Sequence, residues 1–201
     1  MHEAALWQAT EVRALIEKLV RQPEGFGRFL NTLSFLEYIG ARKILKSQRQ
    51  DALTSEILAH VSEELQHAQL LKRASLKLAP TQCETYQMSA LLCGSAAGHY
   101  FQEVDGLAEK LFGERDARVC YLYTTLLVEE RANVLYPMID EVLGSLGQKP
   151  LFLSILGQER RHLEEMTRSL LEIPNSAERL PKLRKKESEA FAIFAEELSK
   201  L

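Results

Sequence analysis

Glu63-Glu64-Leu65-Gln66-His67 and, some ninety residues on, Glu159-Arg160-Arg161-His162 carry the same short pattern, a glutamate followed three residues later by a histidine. In a helix, positions three and four apart share one face, so each pair projects toward a common point. Both pairs sit in apolar stripes. Glu64 continues Ile57 and Val61 into Ala68 and Leu71, and Glu159 continues Phe152, Ile155 and Leu156 into Leu163, Met166 and Leu170. A stripe of that kind faces a core.

One helix earlier, each pair is preceded by a further glutamate. Glu37 stands between Leu30 and Leu33 on one side and Ala41 and Ile44 on the other. On the second copy Glu129 and Glu130 are adjacent in a run that is apolar on much of its circumference. Glu130, flanked by Leu126, Leu127 and Val134, is preferred over Glu129, which neighbours Thr125, Ala132 and Asn133. The pattern therefore reads as two helical hairpins, each bringing one carboxylate and one Glu-x-x-His. Chance alone supplies roughly half an occurrence of Glu-x-x-His in a chain of this composition, so one copy means little. Two copies on apolar faces, each preceded by an inward glutamate, mean more.

Unpaired buried charge costs several kcal/mol per ion, so four carboxylates and two imidazoles in one core call for cations among them. Glu37, Glu64, His67, Glu130, Glu159 and His162 are the expected ligands of two metal ions. Carboxylate and imidazole without thiolate suit iron, with manganese as the other option.

The rest of the chain fits this frame. It has 201 residues, is 46% hydrophobic, and has neither a linker nor an alternating strand pattern. That predicts one all-α domain over residues 1–201 with a metal-binding core at about 26–172. Pro and Gly gather in short clusters, Gln22-Pro23-Glu24-Gly25, Ala79-Pro80-Thr81, Gly144 to Pro150 and Ile173-Pro174-Asn175, that read as turns. Between them helices are expected at about 3–21, 26–47, 53–78, 85–112, 115–143, 150–172 and 182 to the end. The one at 85–112 is a crossover between the hairpins, and the first and last are additions to a four-helix bundle.

A net charge of −3 excludes general attraction to nucleic acid. The one dense basic run, Lys182 with Arg184 to Lys186, reads as a solvated helix start. Three cysteines without Cys-x-x-Cys spacing, a start lacking signal-peptide features and the lack of a membrane-length apolar run lead to the expectation of a cytoplasmic protein without a membrane span. His60, four residues before Glu64, is a candidate hydrogen-bond partner of that carboxylate, although a partly exposed position is expected. His99 and Glu103 read as a solvent-facing pair. Among Tyr38, Tyr100, Tyr123 and Tyr136, Tyr123 is favoured as a residue beside the metals because it lies seven residues before Glu130.

On these residues the chain resembles the ferritin-like di-iron carboxylate superfamily, over about residues 26–172. Within it, Glu63-Glu64-Leu65-Gln66-His67, Glu130-Arg131 with Pro137, Asp140 and Glu141, and Glu159-Arg160-Arg161-His162 resemble the bacterial tRNA hydroxylases of 2-methylthio-isopentenyl-adenosine. The resemblance also places Glu130 in the ligand position. It implies a ferritin-like four-helix bundle and an oxidoreductase, an oxygenase or hydroxylase that activates dioxygen at a di-iron or Mn/Fe centre to oxidise an organic substrate. The implied partners are dioxygen or peroxide, an external electron donor or reductase, and a small apolar or modified-nucleoside substrate, a homodimer being left open. The alternatives are a ferritin- or rubrerythrin-like protein that oxidises iron or consumes peroxide without an organic substrate, and a helical module without activity whose last helix, with Phe191, Phe194 and Leu198, serves a partner. Packing of that stripe on its own bundle is the favoured reading.

Overall fold

The computed structural model describes residues 3–48 and 53–200, with backbone alone for 3–10. Met1 and His2, and residues 49–52 of the turn expected after Ser47, lie outside that range. Among the described residues there are eight α-helices and no strand: α1 Glu3–Val20, α2 Pro23–Ser47, α3 Ser55–Leu78, α4 Gly94–Asp105, α5 Leu107–Phe112, α6 Ala117–Ser145, α7 Leu153–Leu171 and α8 Ser176–Ser199. No helix among the described residues is long and apolar enough to cross a membrane.

Helix α2 packs along α3 and α6 along α7, the two hairpins expected from the repeated pattern, and α8 lies over α4 with contacts to α1, α5, α6 and α7. Local signals set most of the boundaries. Pro23 opens α2, where its missing N–H is not needed. Thr54 caps α3 by accepting from Ile57 N, and Asp116 caps α6 by accepting from Arg118 N and Val119 N. The cap of α7 comes from the neighbouring helix: Asp140 of α6 accepts from the backbone N–H of Leu151 and Phe152, which fixes the turn of the second hairpin.

The apolar stripes are buried as their spacing requires. Leu30, Leu33, Ala41 and Ile44 of α2 and Val61 and Leu71 of α3 share one core with Ile155, Met166 and Leu170 of α7 and Leu126, Leu127 and Ile139 of α6, and Ala68 of α3 is buried as well. Phe191, Phe194 and Leu198 of α8 are buried in this core too, so their stripe is used within the chain.

Two expected helices differ. Residues 85–112 do not form one rod. The segment 79–93 is a loop with a single 3-10 turn at Met88–Ala90, and the helix breaks again at Gly106 between α4 and α5. The loop is held by polar side chains from another part of the chain. Buried Asn31 donates to the carbonyls of Thr85 and Ala90, Thr32 both donates to Leu92 O and accepts from Leu92 N, and Lys72 donates to Asn31 and Thr85 O. These bonds satisfy backbone groups that a helix would otherwise satisfy internally. The last helix starts at Ser176, six residues before the expected 182, and runs through Pro181. Asn175 precedes it with φ 61°, a left-handed conformation that Asn tolerates better than most residues.

Candidate metal centre

Four helices converge on one cluster. Glu37 comes from α2, His60, Glu64 and His67 from α3, Glu129 from α6, and Glu159 and His162 from α7. Six of the seven are at most 6% exposed, and Glu37 is partly buried because it faces an internal cavity. The side chains fall into two groups that share Glu64: His60, Glu64, Glu129 and His162 in one, and Glu37, Glu64, His67 and Glu159 in the other. Within each group one ligand-type atom per residue lies within 4.8 Å of the others, a spacing that can hold a metal ion.

Each histidine commits one ring nitrogen outside the cluster and turns the other inward. His67 Nε2 meets Gln158 Oε1 at 2.8 Å, His162 Nε2 meets Glu63 Oε2 at 2.7 Å, and His60 Nδ1 meets the Tyr121 hydroxyl at 3.1 Å. An amide oxygen and a carboxylate only accept, so the outer nitrogens of His67 and His162 are N–H donors, and the inner ones offer a lone pair to a cation once the ring is neutral. The arrangement is reciprocal. The residue just before the Glu-x-x-His glutamate on each helix, Glu63 on α3 and Gln158 on α7, holds the histidine of the other helix. Arg161 in turn pairs with Glu63.

The inward atoms crowd one another. Among the described residues His67 Nδ1, His162 Nδ1 and Glu159 Oε2 are buried polar atoms without a well-formed hydrogen bond, although His67 Nδ1 lies 3.0 Å from Glu159 Oε1 and His162 Nδ1 lies 3.4 Å from Glu129 Oε1, 3.6 Å from Glu64 Oε1 and 3.5 Å from Glu159 Oε2. Poorly satisfied buried polar groups cost about 1–3 kcal/mol each and are rare in native cores. Lone pairs and carboxylate oxygens aimed at common points fit a cation, so the donor set suits hard or borderline divalent metals.

The electrostatics carry the same strain. Burial, then the charges of Glu64 and Glu159, pushes Glu37 well above the usual carboxylate range. Glu129 is raised in the same way by burial and Glu159, and Glu64 rises to about 7. Burial works to raise Glu159 too, but Glu129, His162 and His67 close around it win and hold it low. Burial would lower His67, yet Glu159 and the charges of Glu37 and Glu64 carry it up to about 9. His60, desolvated and facing His162, drops to about 4. Protons thus stand in for positive charge, and a metal ion held by this cluster would have to displace them.

Five of the six expected ligands, Glu37, Glu64, His67, Glu159 and His162, are in the cluster. Glu130 is not. Its carboxylate turns to Arg184 of α8, which it meets at 2.5–3.1 Å, and Glu129 takes the inward position at 4% exposure. Val134, read as an inward flank of Glu130, is 50% exposed, whereas Ala132 beside Glu129 is buried. Tyr123 follows the same rotation. It is buried near Arg179 and does not line the cavity, so it is not placed beside the cluster. The tyrosines that touch the cluster are Tyr121, on His60, and Tyr136, whose hydroxyl donates to Glu37. Tyr136 lies seven residues after Glu129, which is the sequence signal that would have found it. His60, expected to be partly exposed, is buried with Nε2 2.9 Å from Glu64 Oε1. His99 and Glu103 are solvent-facing as expected, with Glu103 paired to Lys110.

A cavity of about 80 Å³ opens onto Glu37, His60, Glu64, Glu129 and Glu159. Its walls are mostly apolar, with Leu33, Leu36, Val128, Leu135 and Phe194 among them. Arg131, which also lines it, forms a two-pronged pair with Glu187 of α8, at 2.8 and 2.7 Å, and Tyr100 donates to the same carboxylate. This network ties α8 to α4 and α6. No protein-family model, curated protein or solved structure matches the chain.

Proposed function

We propose that the protein is a ferritin-like four-helix bundle holding two metal ions, iron or an iron–manganese pair, and that it is an oxygenase or hydroxylase acting on an apolar group of an organic substrate. The observation that carries this reading is the apolar cavity opening directly onto the buried carboxylate and imidazole cluster. A protein that only oxidises iron or consumes peroxide needs access for small polar species and has no use for an apolar chamber beside the metals. When bound, the two ions supply the redox chemistry that activates dioxygen.

The chain's own residues do the rest. Glu37, Glu64, His67 and Glu159 hold one ion, and His60, Glu64, Glu129 and His162 hold the other, with Glu64 shared. Four carboxylates balance two divalent cations, so the loaded cluster carries no net charge if the histidines are neutral. Gln158, Glu63 and Tyr121 fix the imidazole orientations, as partners of metal-bound histidines commonly do. Tyr136 holds a proton at Oη against Glu37. Leu33, Leu36, Val128 and Leu135 receive the apolar part of the substrate and exclude water, which strengthens the polar interactions inside. Hydroxylation puts one oxygen atom of dioxygen into a C–H bond and reduces the other to water with two electrons and two protons. A donor outside the chain supplies the electrons.

The resemblance to tRNA hydroxylases makes 2-methylthio-isopentenyl-adenosine in tRNA the first substrate to try, its isopentenyl group being small and apolar. The test is dioxygen uptake by the reduced, iron-loaded protein with and without tRNA carrying that base, followed by mass spectrometry of the nucleosides. Substrate-dependent uptake and a product heavier by one oxygen atom support the reading. Oxidation of the iron at one rate regardless of tRNA or of other apolar substrates, with no oxygenated product, replaces it with the iron-oxidising alternative.

A further inference from the structure

We infer that the two metal positions are chemically unequal, and that His60 is the third imidazole ligand that makes them so, selecting Fe(II) at its own position while the other takes Mn(II). This rests on the dinuclear reading above and goes beyond it.

The asymmetry is visible in the donor sets. One group offers two nitrogens and two carboxylates, from His60, His162, Glu64 and Glu129, and the other one nitrogen and three carboxylates, from His67, Glu37, Glu64 and Glu159. The repeated Glu-x-x-His supplies one imidazole to each side. His60 breaks that balance because it stands four residues before Glu64 on α3, one turn away on the same face.

Its ring is placed as a ligand is placed. Buried to 5% exposure, it meets Tyr121 through Nδ1 and presents Nε2 to Glu64 Oε1 at 2.9 Å and Glu129 Oε1 at 3.6 Å, with its centroid 3.9 Å from that of His162. Tyr121 does for His60 what Glu63 does for His162 and Gln158 for His67. A histidine with only a packing role in an apolar core has no need of a polar partner on its outer nitrogen and carboxylates on its inner one. The independent sign of a ligand in both groups is the set of buried inward polar atoms that crowd one another without a well-formed hydrogen bond, His67 Nδ1, His162 Nδ1 and Glu159 Oε2.

Donor type then sorts the metals. Affinity rises from Mn(II) to Fe(II) for any such site, imidazole suits iron, and oxygen-rich sets suit manganese. Iron therefore gains most over manganese where there are two nitrogens. With one equivalent of each metal, iron fills the His60 position and manganese is left the carboxylate-rich one.

The test loads the metal-free full-length protein anaerobically with one equivalent each of Fe(II) and Mn(II). Anomalous diffraction at the iron and manganese edges then gives the occupancy of each position, and elemental analysis of the same sample gives the totals. The expected result is iron in the majority beside His60 and His162 and manganese in the majority beside His67. His60→Gln should even out the distribution. Tyr121→Phe removes the hydroxyl that meets the ring while keeping the aromatic packing, and should weaken binding at that position about 10–100-fold. This variant keeps the test decisive should His60→Gln fold poorly. Two metals bound with equal mixtures at both positions overturn the inference and leave the dinuclear reading standing. Failure to bind either metal overturns both.

Discussion

Removal of the metals is the perturbation whose size follows most directly from the structure. The cluster gathers four carboxylates and three histidines with three inward polar atoms lacking a well-formed hydrogen bond, and on the proposed reading binding of divalent ions would relieve that arrangement in the folded state alone. A ligand present at a hundred times its dissociation constant stabilises by about 2.7 kcal/mol per site, hence about 5 kcal/mol for two. For a chain of this length each kcal/mol moves the melting temperature by about 2–4 °C, so the loaded protein should melt about 10–20 °C above the metal-free one. Calorimetry or circular dichroism of chelator-treated protein, back-titrated with Fe(II) or Mn(II) under nitrogen, measures this. The rise should saturate at two equivalents. Glu130→Gln should show the same rise, because an exposed pair such as Glu130–Arg184 is worth about 0–1 kcal/mol and lies outside the cluster. A shift below about 3 °C at saturating metal would refute the reasoning, since the buried carboxylates would then be satisfied by protons and hydrogen bonds alone.

Other substitutions separate the parts of the argument. Glu129→Gln should lower bound metal from two equivalents toward one by elemental analysis, where Glu130→Gln keeps two. Arg131→Ala leaves Glu187 and Tyr100 buried around an unpaired carboxylate and should cost about 3–5 kcal/mol in urea unfolding, while replacing Arg131 and Glu187 together by apolar residues should recover most of it. Leu71→Ala, at a position fully buried between α2 and α3, should cost about 2–5 kcal/mol by the same assay. Gly40 lines the cavity, and a Cβ there would meet only Glu64 Oε2 at 3.8 Å. Gly40→Ala should therefore stabilise the helix by about 0.5–1 kcal/mol, and Gly40→Leu should keep bound metal yet abolish substrate-dependent dioxygen uptake.

The helices that could be read from the sequence are those whose burial is one-sided. In α2, α3 and α7 the apolar residues keep a single stripe, and the structure buries that stripe almost residue for residue. Where side chains from elsewhere decide, local pattern gives no warning. The stretch 85–93, expected as the start of a helix, has apolar and small residues enough to be drawn as one. Its conformation is set by Asn31, Thr32 and Lys72, distant in sequence, which take up its backbone groups. The last helix was expected from about 182, yet α8 starts at Ser176 and tolerates Pro181 in its second turn, where few upstream carbonyls are left unserved.

Both errors in the site come from one rotation on α6. That helix touches α1, α2, α4, α5, α7 and α8, so apolar residues surround it and no stripe marks the direction of the cluster. Taking Glu130 as the inward residue carries Tyr123 with it, seven positions earlier. Moving the register by one residue, about 100° around the axis, brings in Glu129 and with it Tyr136, seven positions later, and Tyr121, eight earlier. All three are on the cluster in the structure. A flank of buried neighbours is thus weak guidance on a helix enclosed from several sides, and the sounder signal is agreement among polar residues. Glu129, Tyr121 and Tyr136 share a face with one another, whereas Glu130 shares its face with Val134 and an arginine from α8. The same criterion applied to α3 would have included His60. It lies on the face of Glu64 and His67, and a polar residue added to an already polar patch in a core has either a partner there or a ligand.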